Sequence, residues 1–209
     1  PVTSAPGAPR RPDPLAQTLS GANAAELAVV ERSGFVESRH LGSAVVLGPD
    51  GAVVRALGDF ATPVLPRSTL KPMQEATAIA LGAEVPGVRA ALATASHSGT
   101  NAHIAVVKEM LASGDLTDED LQCPPAMPSD ATTRTNLTRA AYGPTRIRMN
   151  CSGKHATMLL AARAQGWSTH DYLDLAHPLQ RAIVDNLTRI GGETPAASAI
   201  DGCGAPVHA

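Results

Sequence analysis

A serine and a lysine three residues apart, in Pro66-Arg67-Ser68-Thr69-Leu70-Lys71-Pro72, form the first pair in the chain able to do chemistry together. On the first turn of a helix that spacing puts both side chains on one face. Pro72 favours a helix start there, because a first-turn N–H has no partner to lose. A serine hydroxyl is a weak nucleophile at neutral pH. A neutral lysine can take its proton where burial or nearby positive charge favours the free amine. Arg67 would supply such charge, and helix N-terminal N–H groups would hold an oxyanion. The plain alternative is a capping serine followed by a solvated lysine. Lysine usage bears on the choice: only Lys71, Lys108 and Lys154 occur among 17 basic residues. Arginine serves elsewhere, so a retained lysine points to chemistry that arginine, always protonated, cannot do.

Four further segments carry reactive side chains. Ala95-Ser96-His97-Ser98-Gly99 follows an apolar run and precedes a helix, so its polar groups fall on a connecting loop. It reads equally as a helix cap. Asn150-Cys151-Ser152-Gly153-Lys154-His155 starts another helix, with Cys151, Lys154 and His155 on one face. Asp201-Gly202-Cys203-Gly204-Ala205-Pro206 is a turn with a cysteine between glycines. Two thiolates and a nitrogen could hold zinc in an open three-ligand site, or the cysteines could be two unrelated buried thiols. Cys123 has no such context and reads as structural. The polar stretch Arg32–Ser38, with His40 and Gly42 after it, reads as a surface loop between strands.

The elements that must position these residues follow from the hydrophobic pattern. Residues 1–22 hold five prolines and no apolar period, which predicts a disordered leader before a domain spanning 23–209. Leu41–Leu47 and Ala52–Leu57, joined by Gly48-Pro49-Asp50-Gly51, predict a β-hairpin. Helices are expected over residues 72–83, 88–95, 101–112, 152–165 and 175–190, several ending at glycine, with a proline-rich loop at 123–133. A few strands followed by a block of helices indicate an α/β layer with a helical subdomain.

Composition removes several function classes. The chain has 209 residues, 44% of them hydrophobic and 17% charged, which is a globular composition. A net charge of −2 and an aromatic content of 2% give nucleic acid neither a basic footprint nor stacking platforms. No apolar run is long enough to span a bilayer. Three cysteines are too few for a disulfide framework, so a reducing, cytoplasmic setting is expected.

Taken in order, SGFVES…HLG, RSTLKPMQ, ASHSG, NCSGKHATML and DGCGAP resemble the type II L-asparaginase family of the rhizobial kind, from about Leu27 to Pro206. The resemblance implies a fold similar to serine β-lactamases and penicillin-binding proteins. It implies hydrolysis of L-asparagine to L-aspartate and ammonia through an acyl-serine. It implies Ser68 as nucleophile, Lys71 as its base and Ser96 as a second catalytic serine, with Ser98 beside it. It implies a zinc ion on Cys151, Lys154 and Cys203, with the lysine neutral. It places Arg67, Ser98, Asn150, His155 and Asp201 at the substrate; a homodimer is expected from the exposed edges and apolar surface that a sheet short of strands leaves. Family members carry a further C-terminal part, with more strands and a second lysine beside Ser96, so the chain reads as the N-terminal portion of that domain. The competing reading is an inactive, truncated paralogue or fragment serving as a zinc-binding or oligomerising module. A third keeps the Ser-x-x-Lys pair but turns it on a β-lactam or peptide amide, for which paired cysteines have no use.

Overall fold

Valine and leucine crowd residues 27–57, and in the computed structural model, which describes residues 19–209, they build two antiparallel hairpins. Strand β1 (Ala25–Arg32) pairs with β2 (Phe35–Gly42), and β3 (Ala44–Leu47) with β4 (Val53–Leu57). Ser33 and Gly34 turn the first hairpin with φ of 52° and 83°. Positive φ at both central positions gives the turn the twist of its strands. The second hairpin is the expected one, closed by Gly48 N–H donating to the Ala52 carbonyl at 2.8 Å. The surface loop expected over Arg32–Ser38 is corrected: apart from the two-residue turn, this stretch is strand. Its period was hidden because neither face of the hairpin is buried, so polar and apolar residues do not alternate. Arg32–Glu37 and Arg39–Glu26 ion pairs lie on its exposed surface.

Contacts divide the chain into two compact units, Pro1–Val64 and Leu65–Ala209, within the span read as a single domain. Residues 1–18 of the expected leader lie outside the described residues. Residues 20–23 form a turn in which Asn23 Oδ1 accepts the Ser20 N–H at 2.7 Å.

The second unit carries six helices: α1 (Lys71–Ala80), α2 (Val88–Thr94), α3 (Asn101–Ala112), α4 (Ala131–Arg139), α5 (Ser152–Ala164) and α6 (Pro178–Gly191). Helix α5 is buried along Ser152–Ala162 and is packed by α1, α2, α3 and α6. A helix enclosed on all sides tolerates no polar stripe, which is why Gly, Ala, Met and Leu dominate it. Gly153 is required there: a Cβ would lie 2.8 Å from the Leu92 carbonyl oxygen of α2. Val107, Met110 and Leu111 of α3 complete the core with Leu159 and Ile183.

Helix ends follow side-chain chemistry. Thr100 caps α3 reciprocally with His103, Asp130 caps α4 by accepting the Thr133 N–H at 2.7 Å, and His177 caps α6 before Pro178. Helix α4 was hidden behind the proline-rich loop. Its sequence, ATTRTNLTR, buries no residue and is rich in β-branched threonine, so neither period nor propensity announces it. The expected 175–190 helix begins at Pro178, after a run of turns. Two short strands, β5 (Ser198–Ile200) and β6 (Pro206–His208), pair across the Asp201–Ala205 loop. The result is a mixed α/β chain with small sheets and six helices among the described residues.

Candidate active site

Three segments of the second unit converge around the Lys71 amine. The Ser68 turn is 3-10 helix over Arg67–Leu70, running directly into α1 at Lys71. Arg67 enters it with φ of 50°, a left-handed conformation costly for a long side chain. Lys71 is buried, and its Nζ donates to the Ala95 carbonyl at 2.7 Å and to Ser96 Oγ at 2.8 Å. Ser68 is exposed, and among the described residues no hydrogen bond joins its Oγ to Lys71. Geometry therefore brings Lys71 to Ser96, 25 residues away in sequence, while Ser68 stands one turn ahead of the lysine.

Ser96 and Ser98 sit on the connecting loop between α2 and α3. Both line a cavity of about 430 Å³ with Leu92, Ala95, His97 and His103. Asp130 N–H donates to the Ser98 carbonyl at 3.1 Å, fixing the loop from outside.

The second convergence joins the start of α5 to the Asp201–Ala205 loop. Cys151 and Cys203 are both buried and unbridged, and Cys203 Sγ donates to Cys151 Sγ at 2.6 Å. Receiving that bond lowers the Cys151 thiol to about 6 against the opposing effect of burial, with the Lys71 and Lys154 amino groups adding to it. Cys203 is pushed far up, because it supplies the proton that Cys151 shares. Lys154 Nζ donates to Asp201 Oδ2 at 3.0 Å, with side chains only 3% and 4% exposed. Asp201 Oδ1 accepts the N–H groups of Cys203 at 2.8 Å and Ala205 at 2.9 Å. Burial raises the Asp201 carboxyl, but Lys154 and these donors outweigh it and hold it below the usual range.

The remaining expected residues divide. Arg67 reaches this loop, its Nη2 lying 3.9 Å from where a Gly202 side chain would begin. Asn150 is exposed, its side-chain oxygen 3.2 Å from Cys151 Sγ. His155 is wholly enclosed. Its Nδ1 meets Tyr172 Oη at 2.8 Å, and that hydroxyl accepts the Gln122 N–H, so the tyrosine hydrogen points to His155. Burial drives the imidazole down to about 3, which leaves it neutral. His155 thus supports the wall behind Cys203 rather than opening onto solvent. Cys123 is buried, pushed up to about 11 by burial, and bonded to the Arg146 carbonyl.

Among the described residues no three of His, Cys, Asp and Glu cluster as a metal cage. The donor set that exists is Cys151, Cys203 and Lys154. Two convergent sulfurs are a donor pair that suits a zinc ion. Lys154 joins them only as a free amine, and here Asp201 engages it as an ion-pair partner. His97 and Ser152 lie in segments the sequence singles out but were given no role there, and Tyr172 and Glu75 were passed over; all four are buried. No helix among the described residues is long and apolar enough to cross a membrane.

No curated protein matches the chain. A family model does, over residues 28–209, the span that holds every residue placed above around Lys71 and the two sulfurs: the chain belongs to the L-asparaginase II family.

Proposed function

We propose that the protein hydrolyses L-asparagine to L-aspartate and ammonia as an asparaginase-type amidohydrolase. The observation that carries this reading is the buried Lys71 amine held 2.8 Å from a loop hydroxyl that lines an open cavity. Lys71 donates to Ser96 Oγ and to the Ala95 carbonyl, which aim its nitrogen at the loop. Ser68, exposed at the start of the turn, attacks the side-chain amide carbon. Its proton passes to Lys71, directly or through Ser96. The tetrahedral intermediate collapses, the proton goes to the leaving nitrogen, and ammonia departs. Water then attacks the acyl-serine and releases aspartate. Oxyanion donors expected at a helix start are not offered by the first two residues of α1, where the Lys71 N–H is spent on the Ser68 carbonyl and Pro72 has none. Arg67 receives the α-carboxylate, Asn150 and Ser98 border the substrate, and Asp201 would take the α-ammonium in exchange for its present partner Lys154.

Cys151, Cys203 and Lys154 would hold the zinc ion. Bound there, zinc supplies a Lewis acid that orients or polarises groups beside it. The 3-10 turn leading into a helix with Ser-x-x-Lys at its start supports a serine β-lactamase-like architecture. The exposed apolar residues of the hairpins, Phe35 and Val54 at 73% and 70% among them, support pairing with a second copy. Unbridged cysteines support a reducing, cytoplasmic setting.

One observation favours a second reading of the same chemistry. The hydroxyl that Lys71 touches is Ser96, not Ser68, which would make Ser96 the nucleophile. Ammonia release from L-asparagine, measured with Ser68→Ala, Ser96→Ala and Lys71→Ala, tests both. Lys71→Ala is expected to lose about 10²–10⁴-fold in kcat. Trapping the acyl-enzyme and locating the aspartyl group by peptide mass spectrometry assigns the nucleophile. A folded, zinc-loaded wild type that releases no ammonia refutes the activity and leaves the inactive zinc-binding module.

A further inference from the structure

His97 lies in the Ser96 loop, buried, with both ring nitrogens committed. Gly99 N–H donates to its Nδ1 at 3.1 Å. Nδ1 is therefore unprotonated and the hydrogen sits on Nε2. That Nε2–H meets Ser152 Oγ at 2.8 Å. Ser152 spends its own hydroxyl hydrogen on the Ile147 carbonyl, also at 2.8 Å, so its lone pair is free to accept from the histidine. The chain of bonds runs one way, from Gly99 through His97 and Ser152 to Ile147, and has a single consistent set of hydrogens. Burial, with His103 and Lys71 nearby, lowers His97 to about 4 and keeps this tautomer neutral at working pH.

The chain joins two halves of the site. Ser152 follows Cys151 at the start of α5, and His97 follows Ser96. Two further links run beside it: His97 N–H donates to the Asn150 carbonyl at 3.0 Å, and the Arg148 side-chain Nη1 to the Gly99 carbonyl at 2.7 Å. Gly99 makes the path specific, with φ of 75° and a Cβ position 2.9 Å from the Arg148 carbonyl oxygen. The His103 ring stacks on His97 at 5.3 Å between centroids and closes its other face. The imidazole, however, ties the loop by a side-chain hydrogen bond to the first residue of α5 itself.

We propose that His97 is a positioning residue: through Ser152 it clamps residues 96–99 onto the start of α5 and so holds the Ser96 hydroxyl against Lys71. The proposal rests on the amidohydrolase reading of the site and adds to it a residue that touches neither substrate nor base. The clamp needs a donor at the Nε2 position. Gln places its amide nitrogen there, while Asn reaches only far enough to keep the Gly99 acceptor. The expected order of kcat for ammonia release is therefore wild type, then His97→Gln within about threefold, then His97→Asn and Ser152→Ala, each down about 10–100-fold with KM little changed. The double variant His97→Asn/Ser152→Ala should be no worse than either single, because one chain is cut twice. Melting temperatures measured alongside show that each variant is folded, and Ser152→Ala tests the clamp should a histidine variant fail to fold.

Labelling of the nucleophile's peptide, Ser68 or Ser96, by a fluorophosphonate, followed by mass spectrometry, gives the same order without asparagine. Equal kcat in His97→Gln and His97→Asn, additive losses in the double variant, or unchanged kcat throughout would overturn the clamp. Labelling that follows the predicted order in a protein releasing no ammonia would uphold the clamp and refute the substrate instead. Asparagine turnover indifferent to all these variants would do the reverse.

Discussion

Replacing Asp201 by asparagine isolates one charge in the site. Asn keeps an oxygen for the Cys203 and Ala205 N–H groups and removes only the partner of Lys154. The pair is 3.0 Å apart with side chains 3% and 4% exposed, so the stranded ammonium has almost no water to turn to. Breaking one side of such a pair costs about 3–5 kcal/mol. The lysine has one escape, which is to give up its proton. For an ordinary lysine at pH 7 that costs about 4.6 kcal/mol, which caps the loss. Asp201→Ala should cost about 1–2 kcal/mol more, because the two loop N–H groups bonded to Oδ1 at 2.8 Å and 2.9 Å lose their acceptor. Asp201→Asn/Lys154→Met should recover most of the loss, since a buried pair and an apolar replacement are close in free energy. The assay is urea unfolding at pH 7 in a chelating buffer, with m checked for constancy. An Asp201→Asn midpoint equal to wild type, or a double variant no better than the single, would show that the pair is not desolvated as described.

Stability should also respond to pH through Glu75. Burial raises its carboxyl from 4.5 to about 7, the Thr157 hydroxyl opposing the shift. A raised carboxyl binds its proton more tightly folded than unfolded, so its contribution is complete below about pH 4.5 and is lost as pH rises to about 7. The full shift corresponds to about 3 kcal/mol, and allowing for partial solvent access leaves about 1–2. Glu75→Gln should remove this slope and gain stability at pH 8 relative to wild type; parallel pH–stability curves for the two proteins would contradict it. Gly153→Ala should cost about 1–3 kcal/mol, read as a Tm fall of about 2–4 °C per kcal/mol, because its Cβ meets backbone that cannot swing away. An unchanged Tm would mean that α5 and α2 are less closely packed than the 2.8 Å approach requires. Cys151→Ser should abolish retention of one equivalent of zinc on dialysis, while Cys123→Ser, whose thiol is bonded to the Arg146 carbonyl, should not; equal zinc content in both would remove the sulfur pair as the ligand set.

Much of this was legible along the chain because the controlling interactions are local. The second hairpin is written in its Gly-Pro-Asp-Gly turn, and α3 and α5 in apolar spacing ended by glycine. The five short motifs carry the family, since each is a run of neighbours whose order survives without knowledge of the fold. Helix α4 and strand β2 were not legible, because elements with no buried face leave no period to read. The partners of each reactive group lay further off. Lys71 meets Ser96 rather than its sequence neighbour Ser68 because its buried side chain runs from the start of α1 to the α2–α3 loop. Lys154 meets Asp201, and Cys151 meets Cys203, across 47 and 52 residues. Side-chain type fixes what chemistry a residue can do, and that is written locally. Which proton it shares, and with whom, depends on distances of about 3 Å that only the packing of α1, α2 and α5 against the last loop brings about.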